Sequence, residues 1–137
     1  MTYTLLLDTN MCSYILRGTS PAARAKLAAL KDDEIACISA ITEGEIRYGL
    51  AKRPSTALHV AVDSFLSKIR ILPWGREEAA AYGELRAKQE RVGKTLGNMD
   101  MLIAAHAIST GAILVTNDGA FAHVEDLHAT VNWAIDL

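Results

Sequence analysis

An uninterrupted apolar run, Leu5-Leu6-Leu7, ends abruptly at Asp8 and continues into Thr9 and Asn10. A strand without polar alternation has to be covered on both faces, as strands of parallel sheets are. Open parallel sheets bind ligands just beyond the carboxyl ends of their strands. Asp8 therefore stands where chemistry is usually done, although Asp after a strand is equally a good N-cap for a helix beginning near Asn10.

The same pattern recurs twice. Ile35-Ala36-Cys37-Ile38 ends at Ser39 and leads into Thr42-Glu43-Gly44-Glu45-Ile46, and Ala112-Ile113-Leu114-Val115-Thr116 ends in Asn117-Asp118-Gly119. Between them, Gly97-Asn98-Met99-Asp100 opens a helical stretch from Met101 to Ser109 that stops at Gly111. Asp8, Glu45, Asp100 and Asp118 thus fall just past a strand or in the early turns of the next helix. If the strands are parallel neighbours, the four carboxylates converge on one edge of the sheet.

Glu45 has a competing local reading, because Thr42-x-x-Glu45 matches a capping box. Ser39 can cap the helix in its place, which leaves Glu45 in the second turn and free to face the cleft. Residues two apart on a helix point about 200° away from each other, so Glu43 and Glu45 cannot both face inward. Glu45 shares a stripe with Ile41 and Tyr48, whereas Glu43 is spaced to pair with Arg47 in solvent.

Carboxylates crowded into one cleft raise each other's pKa and call for a compensating cation. An oxygen-only ligand set selects Mg²⁺ or Mn²⁺ over zinc, and Mg²⁺ combines few carboxylates with water and substrate phosphate. Phosphate-ester or phosphodiester chemistry follows, in which such a metal activates water and offsets charge on the phosphoryl oxygens.

The segments LLLDTN, CISAITEGEIRYG, GNMDMLIAAHA and LVTND resemble the four signature blocks of the PIN-domain ribonucleases, and among these the VapC toxins of type II toxin–antitoxin pairs. The blocks cover nearly the whole chain in the expected order. The resemblance implies an α/β, PIN-like three-layer sandwich spanning residues 1–137 as a single domain. It also implies a Mg²⁺- or Mn²⁺-dependent endoribonuclease that cleaves a specific tRNA or rRNA by metal-activated water. Asp8, Glu45, Asp100 and Asp118 are then the catalytic acids and metal ligands, oriented by Thr9, Asn10 and Thr116. A homodimer is implied as well, with a cognate VapB-like antitoxin whose tail occupies the cleft and through which the complex reaches DNA.

Composition is consistent with this picture. With 137 residues, 50% hydrophobic and 22% charged, one compact domain with a substantial core is expected. No apolar run approaches the ~18 residues needed to span a bilayer, and no signal peptide is legible, so a cytoplasmic protein without membrane contact is expected. Cys12 and Cys37 lack any metal or redox spacing and suit reduced core thiols. A net charge of −2 argues against a protein that coats nucleic acid and is compatible with an acidic nuclease site. Among the basic residues that could follow an RNA backbone, Lys94 comes first, because it precedes Asp100 in a loop.

Helices are expected from Ser20-Pro21 to about Lys31, from Ala40 to Lys52, from Ala57 to Lys68 and from Arg76 to Arg91, the last stopped by Gly93. A short strand covers Ile69 to Leu72. Strands alternating with helices indicate a largely parallel central sheet.

Other signals carry less. Gly93-Lys94-Thr95 mimics the end of a phosphate-binding loop, but Lys88 stands where its first glycine is required. The four histidines share no ligand spacing, and His106 reads as a helix-packing residue. A haloacid-dehalogenase-like phosphatase would need a second Asp where Asn10 stands, and a receiver-like signalling module would need a lysine after its last core strand.

Overall fold

The computed structural model describes residues 1–135. Five strands alternate with six helices: β1 (Tyr3–Leu7), α1 (Thr9–Arg17), α2 (Pro21–Ala28), β2 (Glu34–Ser39), α3 (Ala40–Lys52), α4 (Thr56–Lys68), β3 (Arg70–Leu72), α5 (Arg76–Val92), α6 (Asn98–Thr110), β4 (Ile113–Val115) and β5 (Ala129–Val131). A short 3₁₀ turn covers Gly119–His123. All four strand pairings are parallel, in the order β3-β2-β1-β4-β5.

The apolar runs become strands because both of their faces are covered. Leu5 and Leu7 point into one core layer with Ala36, Ile38 and Val115, under Met11, Cys12, Ile15 and Phe65. Leu6, Cys37 and Leu114 point the other way, against Met101, Ile103, Ala104 and Leu85. This period-two division of a wholly apolar segment is what a three-layer helix–sheet–helix sandwich requires. Cys12 and Cys37 are buried free thiols, as their surroundings in sequence suggested.

Helix ends follow the chain's punctuation. Asp8, Ser20, Ser39 and Ser55 accept hydrogen bonds from the first turns of α1, α2, α3 and α4. Gly93 and Gly111 close α5 and α6 in the left-handed region at φ 71° and 68°, a conformation a Cβ disfavours.

Two expectations need correction. The second helix stops at Ala28 rather than near Lys31, because Glu34 Oε1 accepts from the Lys31 amide in the turn that feeds β2. The strand β5 and the 3₁₀ turn were not expected at all. Every residue of β5 is exposed, so its sequence carries no apolar period.

The sheet order places the end of β1 between those of β2 and β4. The connection after β1 runs to β2 on one side and the connection after β4 runs to β5 on the other, which makes the β1/β4 boundary the topological switch point where such sheets open a crevice.

Candidate functional site at the carboxyl edge of the sheet

Asp8 leaves β1 at this crevice, and its backbone N–H donates to the Val115 carbonyl of β4 at 3.0 Å. The side chain is only 3% exposed. Oδ1 accepts from the Met11 N–H at 2.8 Å, and Oδ2 accepts from the Thr116 hydroxyl at 2.5 Å. The cap and the site position are thus the same residue: one oxygen starts α1 while the other faces the end of β4. Thr116 Oγ1 in turn accepts from the Asp118 N–H at 3.0 Å, and Asp118 Oδ1 caps the 3₁₀ turn at the Ala120 N–H, 2.9 Å away.

Burial is the main force on this carboxylate. It pushes Asp8 above the ordinary carboxylate value despite the lowering effect of its two hydrogen bonds, and the charges of Asp100 and Asp118 push in the same direction. Asp100, in the first turn of α6, is raised by its own burial and by Asp118. Three acids from β1, α6 and the loop after β4 therefore share one electrostatic neighbourhood.

Glu45 is placed differently. It lies on α3, half-buried, in a groove it shares with Thr9 and with Leu16, Ile46, Leu50 and Leu58. Thr9 Oγ1 lies 3.2 Å from the hydroxyl of the fully buried Thr42, which joins the residue after Asp8 to the helix of Glu45. The capping-box alternative is not formed, because Ser39 Oγ accepts from the Ile41 N–H at 3.1 Å and caps α3. Glu43, with 23% of its side chain exposed, pairs with the exposed Arg47 at 2.8 Å. Tyr48 corrects the stripe expected for Glu45: it is 61% exposed, beneath the Lys52 ammonium. Asn10 and Lys94 are exposed, Asn10 in the first turn of α1 and Lys94 in the loop before α6.

Among the described residues, no three His, Cys, Asp or Glu side chains are grouped tightly enough to hold an ion as they stand. The donors nonetheless fit a hard cation. They are oxygens only, Mg²⁺ needs no more than one or two carboxylates beside its waters, and among the described residues the buried Asp8 forms no ion pair while Asp100 and Asp118 raise its pKa.

Sequence reasoning missed two buried polar connections beside the site. Ser39 Oγ also pairs with His106 Nδ1 at 2.8 Å, which ties the start of α3 to α6. The Gln89 amide, 2% exposed, donates to the Lys94 and His123 carbonyls at 2.7 and 3.2 Å. Gln89 sits in a polar helix whose sequence gives no hint that one amide turns inward.

Residues 5–127 match the family model of the PIN domain. The chain belongs to the PIN-domain family. Within that family it is similar to Ribonuclease VapC2 of Rickettsia felis, with 36% identity over 114 residues, 82% of this chain and 85% of that protein. A tRNA(fMet)-specific endonuclease VapC of Shigella flexneri is 35% identical over 114 residues, 82% of this chain and 85% of its own length. The crystal structure of VapBC2 from Rickettsia felis, bound to a promoter DNA fragment, contains a chain that superposes with a TM-score of 0.88 at 34% identity, covering 95% of this chain and 98% of that one. The expected PIN-like α/β fold is the one found. Neither the phosphatase nor the receiver-like alternative is favoured by these relatives.

Proposed function

We propose that this chain is the ribonuclease toxin of a VapBC-like toxin–antitoxin pair and cleaves a specific cellular RNA, with Asp8, Asp100, Asp118 and Glu45 as its acidic centre. The observation that carries the residue assignment is the chain of hydrogen bonds from Asp8 through Thr116 to the Asp118 amide, set at the switch point of the sheet. The similarity to VapC ribonucleases across more than four-fifths of the chain supports the activity.

Asp8 and Asp100 would hold the metal, Mg²⁺ or Mn²⁺, with Asp118 and Glu45 completing its surroundings. Bound there, the ion would supply a lowered pKa for the attacking water and charge compensation at the phosphoryl oxygens. The chain's own residues do the rest. Thr116 and the Met11 amide fix both oxygens of Asp8, so that its carboxylate is already oriented when substrate arrives. The Thr9–Thr42 contact joins the start of α1 to α3, the helix that carries Glu45. Lys94 and Asn10, both exposed, would orient the RNA backbone.

The proposed partner is a VapB-like antitoxin that blocks the cleft and carries the DNA contacts of the complex, and the free toxin is read as a homodimer acting in the cytoplasm. Expression of the chain alone, with sequencing of RNA ends, tests the proposal. Growth arrest with cuts at one site in a tRNA or rRNA, relieved by the neighbouring small protein, is expected. Harmless expression of soluble protein that leaves RNA intact contradicts it.

A further inference from the structure

Gln89 is among the most deeply buried polar residues of the molecule, and nothing in the site described so far requires it. Its helix, α5, ends at the left-handed Gly93, and the Lys94 N–H then returns to the Gln89 carbonyl at 3.0 Å. The next residues, Lys94 and Thr95, are exposed before α6 begins at Asn98. The side-chain amide reaches across this junction. Nε2 donates to the Lys94 carbonyl at 2.7 Å and to the His123 carbonyl at 3.2 Å. Both partners are acceptors, so the orientation of the amide is fixed by its neighbours: only the NH₂ end can face them.

The two carbonyls belong to the two segments that deliver Asp100 and Asp118. Lys94 opens the loop that leads into the first turn of α6, where Asp100 sits. His123 closes the 3₁₀ turn that Asp118 caps through its own side chain. Phe121, in the same turn, is buried in the core layer that holds Met101 and Leu85, so the turn is also packed against α5 and α6.

We infer that Gln89 is a positioning residue for the acidic centre: by joining the Lys94 and His123 carbonyls, its amide fixes the Asp100 loop and the Asp118 turn relative to each other. This rests on the reading of Asp100 as a metal ligand. A carboxylate at position 89 cannot donate to either carbonyl, and a thioether removes both bonds without adding charge. Either change leaves Asp100 and Asp118 in place in sequence but loosens their relative position, and the geometry demanded by Mg²⁺ makes its site sensitive to such loosening.

The test is Mn²⁺ binding to the purified full chain, followed by calorimetry without RNA, for wild type, Gln89→Met and Asp100→Asn, with metal-dependent cleavage of a fluorescent RNA oligonucleotide alongside. Gln89→Met is expected to weaken Mn²⁺ binding about tenfold and to recover most of its kcat at saturating Mn²⁺, whereas Asp100→Asn loses binding. A variant that is merely less folded would lose kcat at every Mn²⁺ concentration with an unchanged metal constant, which overturns the positioning role. Wild-type Mn²⁺ affinity in Gln89→Met, with Asp100→Asn defective, likewise overturns it. Wild-type affinity in Asp100→Asn overturns the site reading itself, and the role of Gln89 with it. If Gln89→Met does not fold, Gln89→Leu, which likewise removes both bonds without adding charge, carries the same comparison.

Discussion

The Thr116 hydroxyl donates to Asp8 Oδ2 across 108 positions of sequence and, from the same oxygen, accepts from the Asp118 amide. One side chain thereby links the ends of β1 and β4 and holds the most buried carboxylate among the described residues. Thr116→Val keeps the shape and removes both bonds. It leaves a buried carboxylate oxygen and a partly buried amide without partners, so a loss of about 1–3 kcal/mol in thermal or denaturant unfolding is expected. RNA cleavage should fall with it, because Asp8 is no longer oriented.

Asp8 makes a distinct contribution to pH dependence. Burial raises its folded pKa above the ordinary 3.8, so its favourable contribution to stability is present below that value and is lost as pH rises through the folded pKa. Asp100 follows the same sign. In metal-free buffer at neutral pH, Asp8→Asn should therefore melt above wild type, since the amide can accept from Met11 and donate to Thr116. The difference should shrink as pH is lowered toward 4. A melting series in EDTA checks this, and a variant that melts far below wild type at pH 7 would show that the capping role of the charge outweighs the crowding.

His106 acts in the opposite direction. Burial lowers its pKa from 6.5, against a smaller raising effect of Glu78, and Ser39 holds the neutral ring. Its contribution is fully present above 6.5 and is lost as pH falls through the folded pKa, because the unfolded chain takes up the proton first. Wild type should lose stability as pH falls below 6.5, and His106→Gln should flatten that slope. Equal slopes in the two proteins would contradict the assignment.

Glu43 and Glu45 differ in what they face. Glu43→Gln removes only the i, i+4 pair with Arg47, so it should leave cleavage nearly unchanged and cost at most about 0.5 kcal/mol. Glu45→Gln should reduce metal-dependent cleavage by ~10²-fold, the scale of a lost electrostatic contribution at an active site. Exchanged phenotypes would move the acidic centre to the other face of α3.

The parts of this fold legible in sequence are those where one physical cause dominates. Leu5-Leu6-Leu7 suits a strand covered on both sides, and Ser39, Ser20 and Gly93 mark helix ends by backbone chemistry that needs no tertiary context. Asp8 appeared in sequence as either a cap or a site residue; its Oδ1 caps α1 at the Met11 amide, and its Oδ2 takes the Thr116 hydroxyl at the end of β4. The stripe drawn through Tyr48 failed because α3 buries little of itself and the Tyr48 ring lies in solvent beside Lys52. β5 was illegible because its pairing with β4 comes from backbone hydrogen bonds while its side chains remain exposed. Gln89 was illegible for a related reason: its partners are carbonyls, which every residue has.

The most direct test of the central claim is RNA cleavage by purified wild type, Asp8→Asn and Asp100→Asn across a Mn²⁺ titration, with the fold of each variant verified by circular dichroism. Wild type should cleave only with added metal, and both variants should remain folded and lose at least ~10²-fold in rate. Cleavage at the wild-type rate by folded Asp8→Asn, with the same Mn²⁺ dependence, would contradict the account.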